Sequence, residues 1–174
     1  NDELRSVHES CPATKFIVSG FSQGAVIAGD VADEIGGGQG AVPAESIAGV
    51  ALIADGRRQN GVGQNPGRKV GGVGAEIALQ PVSGLVQPIV PGASMRGARP
   101  NGFGSLADRT FQICAPNDSV CDAPPNVSTA LERAQGLIAA NGVHAQYASN
   151  NGVIDGTTAN QWVVGWARQL IDAA

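Results

Sequence analysis

The segment Gly20-Phe21-Ser22-Gln23-Gly24 constrains the fold of this chain more than any other part of its sequence. It follows a run of β-forming residues over 14–20 and precedes apolar residues at helical spacing over 23–35. A serine between two glycines at such a junction is typical of a nucleophile elbow, in which a strained turn lifts Oγ above the sheet. The same residues also fit an ordinary strand-to-helix turn in which the serine caps the helix.

The elbow interpretation gives each neighbour of the serine a role. Gly20 and Gly24 are expected to prevent steric clashes in the tight turn. The helix that starts at Gln23 directs its positive end at the site, and the backbone N–H of Gln23 is a candidate oxyanion donor. A serine nucleophile also needs a base, and the base needs a carboxylate that orients it.

The remainder of the chain predicts alternating strands and helices. Two further strands are predicted over 46–54 and 109–114, and the first of them is apolar throughout, as burial on both faces requires. Further helices are predicted over a polar stretch that ends near Ser10, from Asn126 or Ser128 to Ala140, and from Thr157 or Thr158 to about Ala173. We therefore predict an α/β fold in one domain over residues 1–174, with an open parallel sheet and helices on both faces.

The base is expected to be one of two histidines. His8 precedes the serine in a polar segment typical of a protein surface. His144 lies in a loop before the last predicted helix, and it fits the chain order serine, acid, histidine that hydrolases of this type follow. His144 is therefore the candidate base, and a solvated loop histidine is the alternative.

The acid is expected just after a strand and before His144. Asp118 follows the third predicted strand and is favoured for that position. Asp55 ends the second strand and is the competitor, with a structural or substrate-side carboxylate as its other possible role. Asp122 is a third candidate.

The chain contains three cysteines. Cys114 and Cys121 flank a segment short enough for a disulfide to close, and no second Cys/His pair at ligand spacing supports a metal site. Cys11 has no evident partner, which leaves a free thiol, an intermolecular bond or a missing partner. A disulfide favours an exported protein.

Charge and hydropathy argue against a nucleic-acid-binding protein and against an integral membrane protein. The net charge is −4 and the basic residues are scattered, which argues against a nucleic-acid partner. No apolar run approaches the roughly 20 residues that span a bilayer, which argues against an integral membrane segment.

The glycine- and proline-rich segment 55–104 predicts no long helix or strand. Its apolar part, 84–91, could line an acyl-chain groove or pack as core.

Four motifs, in the right order along the whole chain, resemble the cutinase family, which also holds acetylxylan esterases and actinobacterial cutinase-like proteins. They are Gly20 to Ala25, Cys11-Pro12, Asp118 to Cys121, and His144 with Tyr147 near it. The resemblance implies an α/β-hydrolase-like three-layer sandwich. It also implies Ser22 as nucleophile, Asp118 as acid, His144 as base, Gln23 as oxyanion-hole donor, and a Cys114–Cys121 disulfide.

The resemblance further implies a serine esterase that acts on a lipid or polyester-type ester. Such an enzyme needs neither metal nor organic cofactor, and we expect a monomer that is secreted or associated with the cell envelope. The few lysines beside nine arginines indicate a high-GC coding sequence, which with the resemblance favours an actinobacterial protein. Acetylxylan esterase, phospholipase or thioesterase activity, and an inactive surface scaffold of the same fold, are the alternatives.

One departure from the family concerns the start of the chain. Family members have a portion before the Cys-Pro motif that includes a central strand, the second oxyanion donor and a cysteine that pairs with the one matching Cys11. We therefore expect this chain to be a fragment of a larger protein that lacks half of its oxyanion hole.

Overall fold

The computed structural model describes residues 1–88, 91, 94–126, 132 and 142–173. Within these residues, three parallel strands form one sheet in the order in which they occur along the chain: β1 (Phe16–Phe21), β2 (Ile47–Ile53) and β3 (Thr110–Ile113). The α-helices of the described residues are α1 (Asp2–Ser10), α2 (Gln23–Gly36), α3 (Ala75–Ala78), α4 (Ser83–Val86) and α5 (Ala159–Asp172). Short 3₁₀ helices occur at Ala44–Ser46, Gln80–Val82, Gly104–Arg109 and His144–Gln146.

Strand β2 is the centre of the sheet and is covered on both faces. Val50 and Leu52 pack in one cluster with the alanines on the inner face of α2. On the opposite face, Gly49 lies so close to α5 that a Cβ atom there would be 2.5 Å from the ring of Trp166. The prediction of a parallel sheet with helices on both faces is therefore confirmed.

The predicted elements agree with the observed ones to within one or two residues. Helix α5 begins where the sequence indicates, because Thr158 forms a capping box with Gln161. The segment 55–104 contains no helix longer than four residues in its described part, as expected. The helix predicted from Asn126 or Ser128 to Ala140 lies outside the described residues. In the part of the chain that the structure describes, no helix has the length and apolar character to cross a bilayer.

The register of the sheet places three chain segments at one edge. Phe21 of β1 is paired with Ile53 of β2, and Ile53 is paired with Ile113 of β3, so the three strands end side by side. Because the carboxyl ends of parallel strands form the usual site edge of such a fold, the residues that follow each strand are brought together there. Ser22 and the loop that carries Asp118 both lie at this edge.

Candidate active site

Ser22 lies in a strained turn between β1 and α2. Its backbone angles are φ 55° and ψ −121°, a region that residues other than glycine rarely adopt. Its N–H donates to the carbonyl of Ile53 at 2.9 Å, and its own carbonyl accepts the N–H groups of Ala25 and Val26. Within the elbow, over residues 20–36, its side chain makes no capping bond to the helix. The turn therefore frees Oγ for another partner, which argues against the simple capping role.

The two glycines of the elbow differ in what they permit. A Cβ atom on Gly20 would lie 2.3 Å from the carbonyl oxygen of Gly24, a backbone clash that no rotamer change relieves. A Cβ atom on Gly24 would meet no atom of the described residues within 4 Å beyond its own neighbourhood in the helix. The expectation that both glycines prevent clashes is right for Gly20 and wrong for Gly24, because Gly24 is exposed and a Cβ atom on it would have room.

His144 bonds directly to the serine. Its Nε2 lies 2.8 Å from Ser22 Oγ, and the ring is carried by the 3₁₀ turn His144–Gln146 rather than by an extended loop. The ring of Phe21 stacks on the imidazole with centroids 5.0 Å apart, although 46% of Phe21 remains exposed. The residue before the serine thus supports the histidine ring, a contact that the sequence analysis did not anticipate.

Asp118 holds the other nitrogen of the same ring. Its Oδ2 is 2.9 Å and its Oδ1 3.2 Å from His144 Nδ1, and the carboxyl group is fully buried. The N–H of Val120 donates to Oδ1 at 2.9 Å. Because a carboxylate only accepts, Nδ1 carries the proton, and the free electron pair of Nε2 faces the serine hydroxyl.

The loop that carries Asp118 is closed by a disulfide between Cys114 and Cys121, as expected. Their Cα atoms are 5.9 Å apart. Within the loop, the N–H of Asp118 donates to the carbonyl of Ala115 at 3.1 Å. Cys11 is a free, exposed cysteine in the structure.

Neither alternative acid contacts the histidine. Asp55 is buried, and its carboxylate accepts a bidentate pair of bonds from Arg99 at 2.6 and 3.1 Å. Asp122 accepts the N–H groups of Gly72 and Asn117. Asp55 therefore has the structural role that was its alternative, and Asp122 orders the loops beside the site.

The other candidate base lies apart from the serine. His8 is on α1, where its Nδ1 is 3.5 Å from the hydroxyl of Ser46. It is partly buried rather than fully exposed. The structure thus brings together Ser22, His144 and Asp118 and leaves His8 out.

Gln23 is the first residue of α2 and follows the serine directly. Its N–H belongs to the first turn, where helical N–H groups have no partner within the helix. The positive end of the helix at Gln23 lies next to Ser22, which favours an anion there.

An ion-pair cluster joins α2 to the segment after β2 and was not anticipated from the sequence. Asp30 of α2 accepts bonds from Arg57, Arg96 and Arg99 at 2.7, 2.6 and 2.9 Å. Because Arg99 also binds Asp55, the cluster joins α2 to the end of β2 and to the segment around residue 99. Its members are far apart in the sequence, so no local pattern indicates them.

Tyr147 is a further member of the site. It lies three residues after the histidine, is 3% exposed, and donates its hydroxyl to Asp118 Oδ2 at 2.7 Å. Burial, and then the nearby Asp118 charge, raise the pKa of Tyr147 above its ordinary value. The sequence analysis placed Tyr147 in a motif but gave it no role.

The apolar segment 84–91 contains both exposed and buried side chains among its described residues, and its role as the lining of an acyl-chain groove stays a prediction. Leu85 of α4 is 60% exposed, whereas Val86 next to it is buried. The described residues of this segment therefore supply both surface and core.

The fold is that of an α/β-hydrolase-like protein. Its site is the hydrogen-bonded chain of side chains from Ser22 through His144 to Asp118. A sequence model of the Cutinase family matches residues 1–165. The chain is 64% identical over 172 residues to a protein of Corynebacterium glutamicum named carboxylesterase Culp6 homologue. The chain belongs to the cutinase family, as its motifs indicated. The match covers 99% of this chain and 56% of that relative, so the chain spans little more than half the length of the curated relative.

Proposed function

We propose that the protein is a serine carboxylic ester hydrolase that works through an acyl-enzyme, within one esterase domain. The observation that carries this proposal is the continuous row of bonds from Ser22 Oγ through His144 to the buried Asp118 carboxylate. In such a row the serine hydroxyl has a proton acceptor in place, and the acceptor has a carboxylate that fixes its tautomer.

The proposed reaction has two halves. Ser22 Oγ attacks the ester carbonyl while its proton passes to His144 Nε2, and the N–H of Gln23 stabilises the oxyanion of the tetrahedral intermediate. Collapse of the intermediate expels the alcohol, which takes the proton from His144. Water then attacks the acyl-serine with the same base, and the carboxylic acid leaves.

The surface beside the serine supports an apolar acyl ester as the substrate class. Phe21 and Ile27 are 46% and 61% exposed. Phe21 lies next to the serine and covers the histidine ring, and Ile27 lies one helical turn beyond Gln23. Large apolar side chains left in water at a site favour an apolar ligand, so we propose a lipid or polyester-type ester. The Cys114–Cys121 disulfide supports an exported location, because disulfides persist outside the cytosol.

The test is covalent labelling. The chain is treated with a fluorophosphonate probe, and the modified peptide is identified by mass spectrometry beside Ser22→Ala and His144→Ala. Labelling confined to Ser22 and lost in both variants is expected. Absence of labelling both in this folded chain and in a chain extended at its N-terminus would instead favour an inactive scaffold of the same fold.

Substrate class is tested separately with p-nitrophenyl esters of increasing acyl length. We expect hydrolysis of butyrate and longer esters to exceed that of acetate, because the apolar surface at Phe21 gains contact with the chain. A strict preference for acetate would favour the acetylxylan-esterase alternative.

A further inference from the structure

The hydroxyl of Tyr147 lies between the backbone of the Asp118 loop and the Asp118 carboxylate. It accepts the N–H of Ala115 at 2.8 Å and is 2.7 Å from Asp118 Oδ2. Its ring packs edge-on against Phe21, with centroids 5.7 Å apart. The side chain is therefore buried in contact with the Asp118 loop, the Asp118 carboxylate and Phe21.

The direction of the phenolic proton follows from its partners. A peptide N–H can only donate, so the tyrosine oxygen accepts from Ala115. A carboxylate can only accept, so the single proton of Tyr147 points at Asp118 Oδ2. The same oxygen accepts Nδ1–H of His144 at 2.9 Å. Tyr147 and His144 therefore donate to one oxygen atom of the buried acid.

We propose that Tyr147 is a positioning residue that fixes the plane of the Asp118 carboxylate and through it the ring of His144. This inference rests on the proposed esterase function. Val120 N–H holds Oδ1 and Tyr147 O–H holds Oδ2, so the carboxyl group is fixed at both oxygens. His144 begins one short 3₁₀ turn and Tyr147 follows its last residue, so the base and the residue that holds its acid are fixed by the same piece of backbone.

The effect is expected on the chemical step rather than on substrate binding. Tyr147 is buried and donates to Asp118, and the imidazolium that forms during the reaction depends on a fixed carboxylate. Loss of a hydrogen bond to a charged group costs about tenfold to a hundredfold in an equilibrium or a rate. We expect Tyr147→Phe to lower kcat by that factor and to leave KM nearly unchanged.

A double-mutant cycle separates positioning from a merely structural role. Tyr147→Phe also removes the acceptor of the Ala115 N–H, so part of its effect could reflect stability. In a chain that already carries Asp118→Asn, the added Tyr147→Phe change should lower kcat and the fluorophosphonate labelling rate much less than it does alone. An equal loss in both backgrounds would overturn the positioning role.

A spectroscopic test does not depend on whether Tyr147→Phe folds. The chain has a single tyrosine, so growth with fluorotyrosine alters this residue alone and keeps its hydroxyl. A fluorinated phenol is a stronger donor and draws electron density from Oδ2, which weakens the bond to His144. The downfield proton resonance of His144 Nδ1–H should therefore move upfield, and an unchanged resonance would overturn the inference.

The outcomes distinguish this inference from the proposed function. If the unsubstituted chain is labelled at Ser22 and Tyr147→Phe has the same kcat, only the positioning role fails. If the unsubstituted chain is neither labelled nor active on p-nitrophenyl butyrate, the esterase function fails and the positioning role fails with it.

Discussion

A Cβ atom on Gly20 would lie 2.3 Å from the carbonyl oxygen of Gly24, whereas one on Gly24 would meet open space among the described residues. The glycines that flank Ser22 are therefore not equivalent. Gly20 allows β1 to approach the first turn of α2. Gly24 is an exposed residue of that turn, and its conformation is an ordinary helical one.

This difference predicts opposite effects of the same substitution. Gly20→Ala should lower the free energy of unfolding by about 3 kcal/mol or more, because the clash is with backbone, and labelling at Ser22 should be lost. Gly24→Ala should be neutral or raise it by up to about 1 kcal/mol, since alanine is the better helix former. Thermal denaturation and fluorophosphonate labelling of the two variants check this. Equal effects would contradict the geometry of the elbow.

Much of the candidate site could be predicted from the sequence because Ser22 and Asp118 follow strands and His144 fits the chain order. Ser22 is marked by a local motif, and Asp118 and His144 are marked by their order after it. The parallel sheet brings chain segments that follow its strands to one edge, so correct strands were sufficient to propose that Ser22 and Asp118 meet, whereas His144 was proposed from chain order alone.

The parts that could not be predicted depend on contacts between distant segments. Arg99 binds Asp30 and Asp55, which are 69 and 44 residues away, and nothing in the local sequence of any of them indicates a pair. The hydroxyl of Tyr147 has a role only because the fold brings it to the backbone of Ala115 and the carboxylate of Asp118, which are 32 and 29 residues away. The difference in space for a Cβ atom at Gly20 and Gly24 depends on the angle between β1 and α2, which the Gly-x-Ser-x-Gly pattern does not specify.

The assignment of the acid predicts a contrast between two buried aspartates. Asp118→Asn should lower kcat by up to about 10⁴, because an amide no longer holds the imidazole in the required tautomer. Asp55→Asn should lower stability, since it leaves Arg99 without its bidentate partner, while kcat measured below Tm stays close to that of the unsubstituted chain. Steady-state kinetics and melting curves of both variants check this. A larger loss of kcat in Asp55→Asn would reverse the assignment.

The ion-pair cluster predicts that the contribution of each arginine to the free energy of unfolding depends on its burial. Arg99 has a side chain only 2% exposed and binds two carboxylates, one of them fully buried. Arg99→Leu should lower the free energy of unfolding by about 3–5 kcal/mol, because it leaves the buried Asp55 carboxylate without its ion-pair partner. Arg96 binds the same Asp30 but is 45% exposed, so Arg96→Leu should cost about 0–1 kcal/mol. Urea denaturation of the pair measures the contrast, and equal losses would show that burial is not the deciding factor.

Glu76 predicts a pH-dependent change in stability. Burial raises the pKa of its carboxyl group above its ordinary value, and the charge of Arg96 opposes this only in part. A group whose pKa is raised by folding contributes stability that is present at low pH and is lost as the pH rises through the folded value. The side chain at position 76 in Glu76→Gln does not titrate, so the variant loses no stability from this position over that pH range.

The Tm of Glu76→Gln minus that of the unsubstituted chain should therefore increase between pH 4 and pH 7. Glutamine keeps an oxygen that can accept the backbone N–H of Arg96, which limits the change to the charge itself. Glu45→Gln, at an exposed position, is the matched control, and its Tm difference should change less over the same range. If the difference for Glu76→Gln instead decreased with rising pH, the ion pair with Arg96 would outweigh the cost of burial.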